Sequence, residues 1–125
     1  MSELLDMLHQ HKIVAILRGI EAQHADRAAQ AIIDGGVRLL EVTMNTDGAT
    51  SIINQWRTKF GDGDARIGAG TVLDVEMARE AVAAGAQFII SPNLDEEVVA
   101  YGAERGISVW PGCMMPTEIV RAWKT

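Results

Sequence analysis

Residues 38–45 read Arg-Leu-Leu-Glu-Val-Thr-Met-Asn, an aliphatic segment with polar groups at a two-residue period. In an extended chain Leu40, Val42 and Met44 fall on one side, and Glu41, Thr43 and Asn45 on the other. A parallel strand covered on both faces is expected to be apolar throughout, so the polar side needs a reason. A carboxylate turned inward must be paired, hydrogen-bonded or neutralised. Burial raises its pKa and suits it to general acid–base work. The alternatives are that Glu41 faces solvent at a sheet edge or pairs with an arginine. Arg18 closes an earlier aliphatic run, after Val14 and Ile16 on the same side. A guanidinium at the carboxyl end of a parallel strand could hold a substrate carboxylate or phosphate. An ion pair between Arg18 and Glu41 is compatible with that role.

Further along, Ile67-Gly-Ala-Gly-Thr-Val places two glycines and Thr71 near the end of another aliphatic run. Glycines within a strand allow close approach of a neighbouring backbone or a ligand. The third glycine of a dinucleotide fingerprint is missing, so that motif is excluded. Ser91-Pro-Asn and Pro111-Gly-Cys mark the carboxyl ends of two later runs. Cys113 has no histidine near it in sequence, because His9, His11 and His24 all lie in the first quarter of the chain. It reads as a small hydrophobe rather than a nucleophile. The histidines lack carboxylate or cysteine partners at ligand spacing, which argues against a metal site. Met114, Met115, Trp56, Trp110 and Trp123 read as packing residues.

These residues need a scaffold, and the chain supplies an alternating one. Aliphatic runs at 13–19, 39–44, 66–72, 88–92 and 108–112 are separated by helical-period segments at 22–34, 47–60, 74–84 and 96–105. In the third of these segments Val75, Ala78, Val82 and Ala83 form the apolar stripe. Asp47, Asp74 and Asp95 are placed to accept from the free amides of helix starts. A repeat supports the segmentation: Gly36-Val-Arg-Leu-Leu-Glu, Gly85-Ala-Gln-Phe-Ile-Ile and Gly106-Ile-Ser-Val-Trp each begin with a glycine that closes a helix just before a strand. Strand starts recur every 20 to 28 residues, an interval that fits βα units and a parallel sheet. Residues 116–124 open a further helix. Two architectures accommodate five such units, a flavodoxin-like sheet or the first part of a (β/α)8 barrel. The absence of a cap at the last helix favours the truncated barrel, with residues 1–125 as a single domain.

With 125 residues, 48% of them hydrophobic, the chain is long enough to bury one core. A net charge of −6 disfavours a nucleic-acid backbone as partner. The longest uncharged stretch, 81–94, is fourteen residues long and interrupted by Gly85 and Pro92. A spanning helix needs about 18 or more apolar residues, so no membrane partner is expected. No basic region followed by an apolar core opens the chain, and one cysteine forms no internal disulfide. A cytoplasmic location is expected.

Taken in order, Ala15-Ile-Leu-Arg-Gly, Leu40-Glu-Val-Thr-Met-Asn-Thr, Ile67-Gly-Ala-Gly-Thr-Val-Leu, Phe88-Ile-Ile-Ser-Pro-Asn and Pro111-Gly-Cys-Met-Met-Pro-Thr-Glu resemble the 2-keto-3-deoxy-6-phosphogluconate (KDPG) and 4-hydroxy-2-oxoglutarate (KHG) aldolase family. The resemblance runs from about residue 5 to 125. It implies a class I, Schiff-base aldolase on a (β/α)8 barrel that cleaves a keto-acid phosphate to pyruvate and glyceraldehyde 3-phosphate. It further implies a homotrimer that needs neither metal nor organic cofactor. Residue by residue, Glu41 matches the general acid–base, Arg18 an arginine on the pyruvate carboxylate, and Thr71 and Pro92 positions lining the pocket. Asn45 stands where gluconate enzymes often carry a substrate-contacting arginine and where some galactonate enzymes have asparagine. The family's Schiff-base lysine belongs to a sixth strand, and Lys12, Lys59 and Lys124 do not match it. The chain as given is therefore expected to be inactive. Two readings from other classes remain: a non-catalytic truncated barrel that assembles with a partner or itself, and a flavodoxin-like binding module.

Overall fold

The alternation of aliphatic runs and alanine-rich segments folds into strands and helices in a computed structural model that describes residues 2–125. The strands are β1 (Val14–Leu17), β2 (Leu39–Thr43), β3 (Arg66–Gly70), β4 (Phe88–Ser91) and β5 (Ser108–Pro111). The helices are α1 (Glu3–His11), α2 (Ala22–Asp34), α3 (Ala49–Phe60), α4 (Val75–Ala84), α5 (Glu96–Glu104) and α6 (Pro116–Lys124). All neighbouring strands are parallel and the sheet order is β1-β2-β3-β4-β5. A flavodoxin-like sheet reverses direction to give the order 2-1-3-4-5, so that alternative is overturned. Gly36, Gly85 and Gly106, the three repeat glycines, each have positive φ, the conformation the sequence layout called for.

One face of the sheet is covered by helices. Leu40, Val42, Ala69 and Ile89 from the strands pack with Ala25, Ala29, Trp56, Ala78 and Val98 from α2 to α5. The small alanines let helix backbones lie close to the sheet. Within α4 the stripe is slightly rotated from the sequence reading: Ala81 is buried and Ala83 exposed. Asp74 caps α4 through Met77 N at 2.8 Å, and Asp95 caps α5 through Glu97 N and Val98 N. Asp47 does not cap α3. Gly48 takes that position with φ 72 and no side-chain cap, because the chain turns one residue later than the aspartate.

The other face holds a second cluster, in which Leu39 and Phe88 are buried with Leu4 of α1 and flanked by Val14, Ile90 and Trp110. Phe88 and Trp110 stack with centroids 5.0 Å apart. Gly68 makes room for this layer, since a Cβ there would land on the Phe88 ring. Helix α1 was not anticipated as an element. Ser2 caps it through Leu5 N at 3.3 Å, Lys12 ends it at φ 61, and its apolar side, Leu4 and Met7, closes the amino end of the sheet.

Beyond α1 this face carries exposed apolar groups, including Ile16 at 61%. On and before α6, Met114, Met115, Ile119, Val120 and Trp123 are exposed, the last at 90%. Strands β1 and β5 are the sheet edges. Apolar patches and unpaired parallel edges both promote association. Sedimentation of the chain at micromolar concentration is therefore expected to show concentration-dependent species heavier than a 13.5 kDa monomer. A single cooperative monomer across that range would contradict the expectation.

Candidate active site

Strand β2 is buried along its whole length, polar residues included. Leu40 and Val42 face the helices, so the pleat sends Glu41 and Thr43 to the opposite face. Glu41 is only 3% exposed. In register with it lie Ile16 on β1 and Gly68 on β3, and Thr43 is opposite Gly70. The carboxylate needs the space that Gly70 leaves empty, for a Cβ there would collide with Glu41 Oε1. Its other oxygen, Oε2, is buried with no hydrogen-bond partner. Desolvation disfavours the charged form, and Glu41 is pushed from 4.5 to about 7, with the nearby Arg18 charge pulling in the opposite direction.

Arg18 follows β1 directly and is exposed. It donates from Nη1 to Asn45 Oδ1 and from Nη2 to Thr71 Oγ1, each at 3.1 Å. The rims of β1, β2 and β3 are joined by these two bonds. Both acceptors are neutral, so the guanidinium is oriented without being neutralised. This replaces the ion pair with Glu41 that the sequence left open: Arg18 acts on Glu41 through its field, not through contact. Thr71 has φ 54, an unusual conformation for a β-branched residue and a mark of local strain. Pro92 lies on the adjoining rim after β4, exposed, with its carbonyl packed against Gly112. It takes no part in the Arg18–Asn45–Thr71 bonding.

Of the residues around this site Thr46 was not singled out from the sequence, and the partners of Gly70 and Thr43 were not read there. Gly70 was read only as permitting a close approach, and the approaching group is the Glu41 side chain. Thr43 and Thr46 form a buried hydroxyl pair at 2.9 Å, for which the Thr-x-x-Thr spacing at a strand end was the available signal. Beside them a groove of about 550 Å³ opens between the β1–α2 and β2–α3 loops, lined by Gly19, Ile20, Asn45 and Thr46 among others. Cys113 is half-buried, its Sγ 3.7 Å from Pro111 O. Among the described residues no three His, Cys, Asp or Glu side chains are grouped to hold a metal ion. No helix among them is long and apolar enough to cross a membrane.

None of the three lysines belongs to this rim. Lys12 precedes β1, Lys59 pairs with Asp26 in the last turn of α3, and Lys124 lies in the last turn of α6.

Residues 4–125 match the model of the family described as KDPG and KHG aldolase. The chain belongs to that family. It is 38% identical over 122 residues to the 2-dehydro-3-deoxy-phosphogluconate aldolase of Treponema pallidum, covering 98% of this chain and 57% of that protein. It is 36% identical over 110 residues to the 2-dehydro-3-deoxy-6-phosphogalactonate aldolase of Escherichia coli, covering 88% and 53%. Among solved structures it superposes with TM-score 0.86 on the KDPG aldolase from Legionella pneumophila with pyruvate captured as a covalent carbinolamine, at 30% identity, covering 94% of this chain and 56% of that one. The chain thus spans about half the length of the family members it matches.

The raised pKa of Glu41 has a consequence for stability. Below about 4.5 the group is protonated in both folded and unfolded chains, and its contribution is fully present. As pH rises from about 4.5 to about 7, the unfolded chain gives up this proton while the buried group keeps it, so up to about 3 kcal/mol of stability is lost. The loss is complete once the folded group also ionises near 7. Denaturant unfolding across this range is expected to show that loss in the unmodified chain and a flatter profile in Glu41→Gln. Parallel profiles would contradict the assignment. In Gly70→Ala the displaced carboxylate is expected to titrate closer to 4.5 by carbon NMR.

Proposed function

We propose that this chain carries the acid–base half of a class I aldolase site within a (β/α)8 barrel, of which its five βα units form a part. The barrel reading is supported by the unreversed strand order, the helices packed side by side and the family's greater length. The carrying observation for function is the buried, unpaired Glu41 carboxyl beside an arginine held only by neutral partners. A group that titrates near 7 exists in both protonation states at neutral pH, as a residue that must both take and give protons requires.

In this reading the substrate is 2-keto-3-deoxy-6-phosphogluconate or the related 4-hydroxy-2-oxoglutarate. Arg18 orients the keto-acid carboxylate, and Thr71 and Pro92 line the pocket. Glu41 moves protons as a lysine amine adds to the keto carbon and water leaves. The resulting protonated imine accepts the electron pair of the breaking carbon–carbon bond; the aldehyde departs and the enamine is then protonated to give bound pyruvate. The lysine belongs to the sixth strand of the family pattern. No metal or organic cofactor enters this chemistry. The galactonate isomer is the second substrate reading, favoured by Asn45 and by the similarity to the galactonate aldolase. A homotrimer in the cytoplasm, where phosphorylated sugar acids are retained, completes the proposal.

Borohydride reduction in the presence of pyruvate tests it. The 125-residue chain is expected to trap no adduct and to cleave no KDPG, because neither Glu41 nor Arg18 can replace the imine as electron sink. A form continued through a sixth strand bearing the lysine is expected to do both. In that form Glu41→Gln should slow turnover by roughly 10²–10⁴-fold. A reduced adduct on Lys12, Lys59 or Lys124, located by mass spectrometry, would overturn the assignment of the nucleophile.

A further inference from the structure

The side-chain bonds that aim Arg18 lie at the surface, yet the loop behind it is tied to a buried side chain. Gly19, the next residue after Arg18, donates its backbone N–H to Thr46 Oγ1 at 2.9 Å. Thr46, the next residue after Asn45, is only 5% exposed, and its hydroxyl lies 2.9 Å from Thr43 Oγ1, which is fully buried. One hydroxyl therefore joins the loop that carries Arg18 to the loop that carries Asn45, and rests on a strand residue two positions from Glu41.

The main chain of Thr46 has separate work. Its N–H donates to Thr43 O at 2.9 Å and its carbonyl accepts from Ala49 N at 3.1 Å, closing the turn into α3. Any residue of similar backbone conformation would make those bonds. The reach to Gly19 belongs to the hydroxyl alone. We propose that Thr46 is a positioning residue, a buried latch that holds Arg18 in register with Asn45 and Thr71.

The physical case rests on where each bond sits. Arg18 is long and exposed, and its two bonds at 3.1 Å to Asn45 and Thr71 lose strength with small displacements of its backbone. The bond to Gly19 is part-buried, with its acceptor on a side chain only 5% exposed, so it is less open to competition from water than the two surface bonds of Arg18. Fixing the backbone one residue from Arg18 reduces the conformations its side chain must give up on meeting an anion. The choice of ligand rests on the aldolase reading; the latch geometry does not.

Thr46→Val keeps the β-branched shape and removes the acceptor, whereas Thr46→Ser keeps the hydroxyl. In NMR experiments on the 125-residue chain, Gly19 amide exchange is expected to accelerate roughly tenfold in the valine variant and to recover in the serine variant. Amides within β2 and β3 should be unaffected. The Glu41 titration midpoint should move upward in Thr46→Val, because a loosened Arg18 no longer holds its field on the carboxyl, and return in Thr46→Ser. Pyruvate, used as the probe, should bind about tenfold more weakly to the valine variant alone. Unchanged Gly19 exchange and an unchanged Glu41 midpoint in Thr46→Val would overturn the latch. Failure of pyruvate to perturb even the unmodified chain would count against the substrate reading, while the exchange and titration results still decide the latch. Should the valine variant not fold, the unmodified chain decides: Gly19 is expected to exchange at least tenfold more slowly than Ile20 and Glu21, and equal rates would overturn the proposal.

Discussion

Glu41 stands in the middle of a fully buried strand as its one ionisable group, and much of the surrounding arrangement answers to its carboxylate. The group has no hydrogen bond at Oε2 and little access to water. It fits because Gly70, on the neighbouring strand, presents no side chain. Its proton affinity is raised because the same packing that admits it excludes solvent. A fully paired carboxylate would be more stable as an anion but would give up the mid-range pKa. Placement and reactivity are here one physical fact.

The second ingredient is a positive charge that is held without being cancelled. Asn45 and Thr71 offer Arg18 oxygen acceptors of no net charge. The guanidinium keeps its attraction for an incoming anion while losing much of its freedom, which is the division of labour that preorganised sites require. Strain at Thr71 and the buried hydroxyl pair of Thr43 and Thr46 lie around this contact. The rim is thus stiffened from below, where the dielectric is low, and left open above.

Opposite ends of the sheet do different work. At the amino end, α1 and the stacked Phe88 and Trp110 make an apolar plug, with Gly68 vacating the space the ring needs. At the carboxyl end the same strands carry Glu41, Arg18, Asn45 and Thr71. Two glycines on β3, two residues apart on one face, therefore serve two purposes: Gly68 admits a ring to the core and Gly70 admits a carboxylate to the site.

Local pattern was enough to read the βα alternation, the two-sided character of β2, the glycines at the helix ends and the aspartate caps of α4 and α5. These features depend on residues a few positions apart, where pleat, helix period and cap geometry act directly. The cap of α3 escaped this reading, since Asp47 and Gly48 compete at adjacent positions and the tertiary path of the turn selects the glycine. So did the partner of Gly70, which comes from another strand, and the partners of Arg18, which lie 27 and 53 residues away. A slip of one residue in strand register would turn Glu41 toward the helices and separate Arg18 from both acceptors. Residue types and their parity were written in the chain; which of them meet was decided by register, because only the packed sheet sets it.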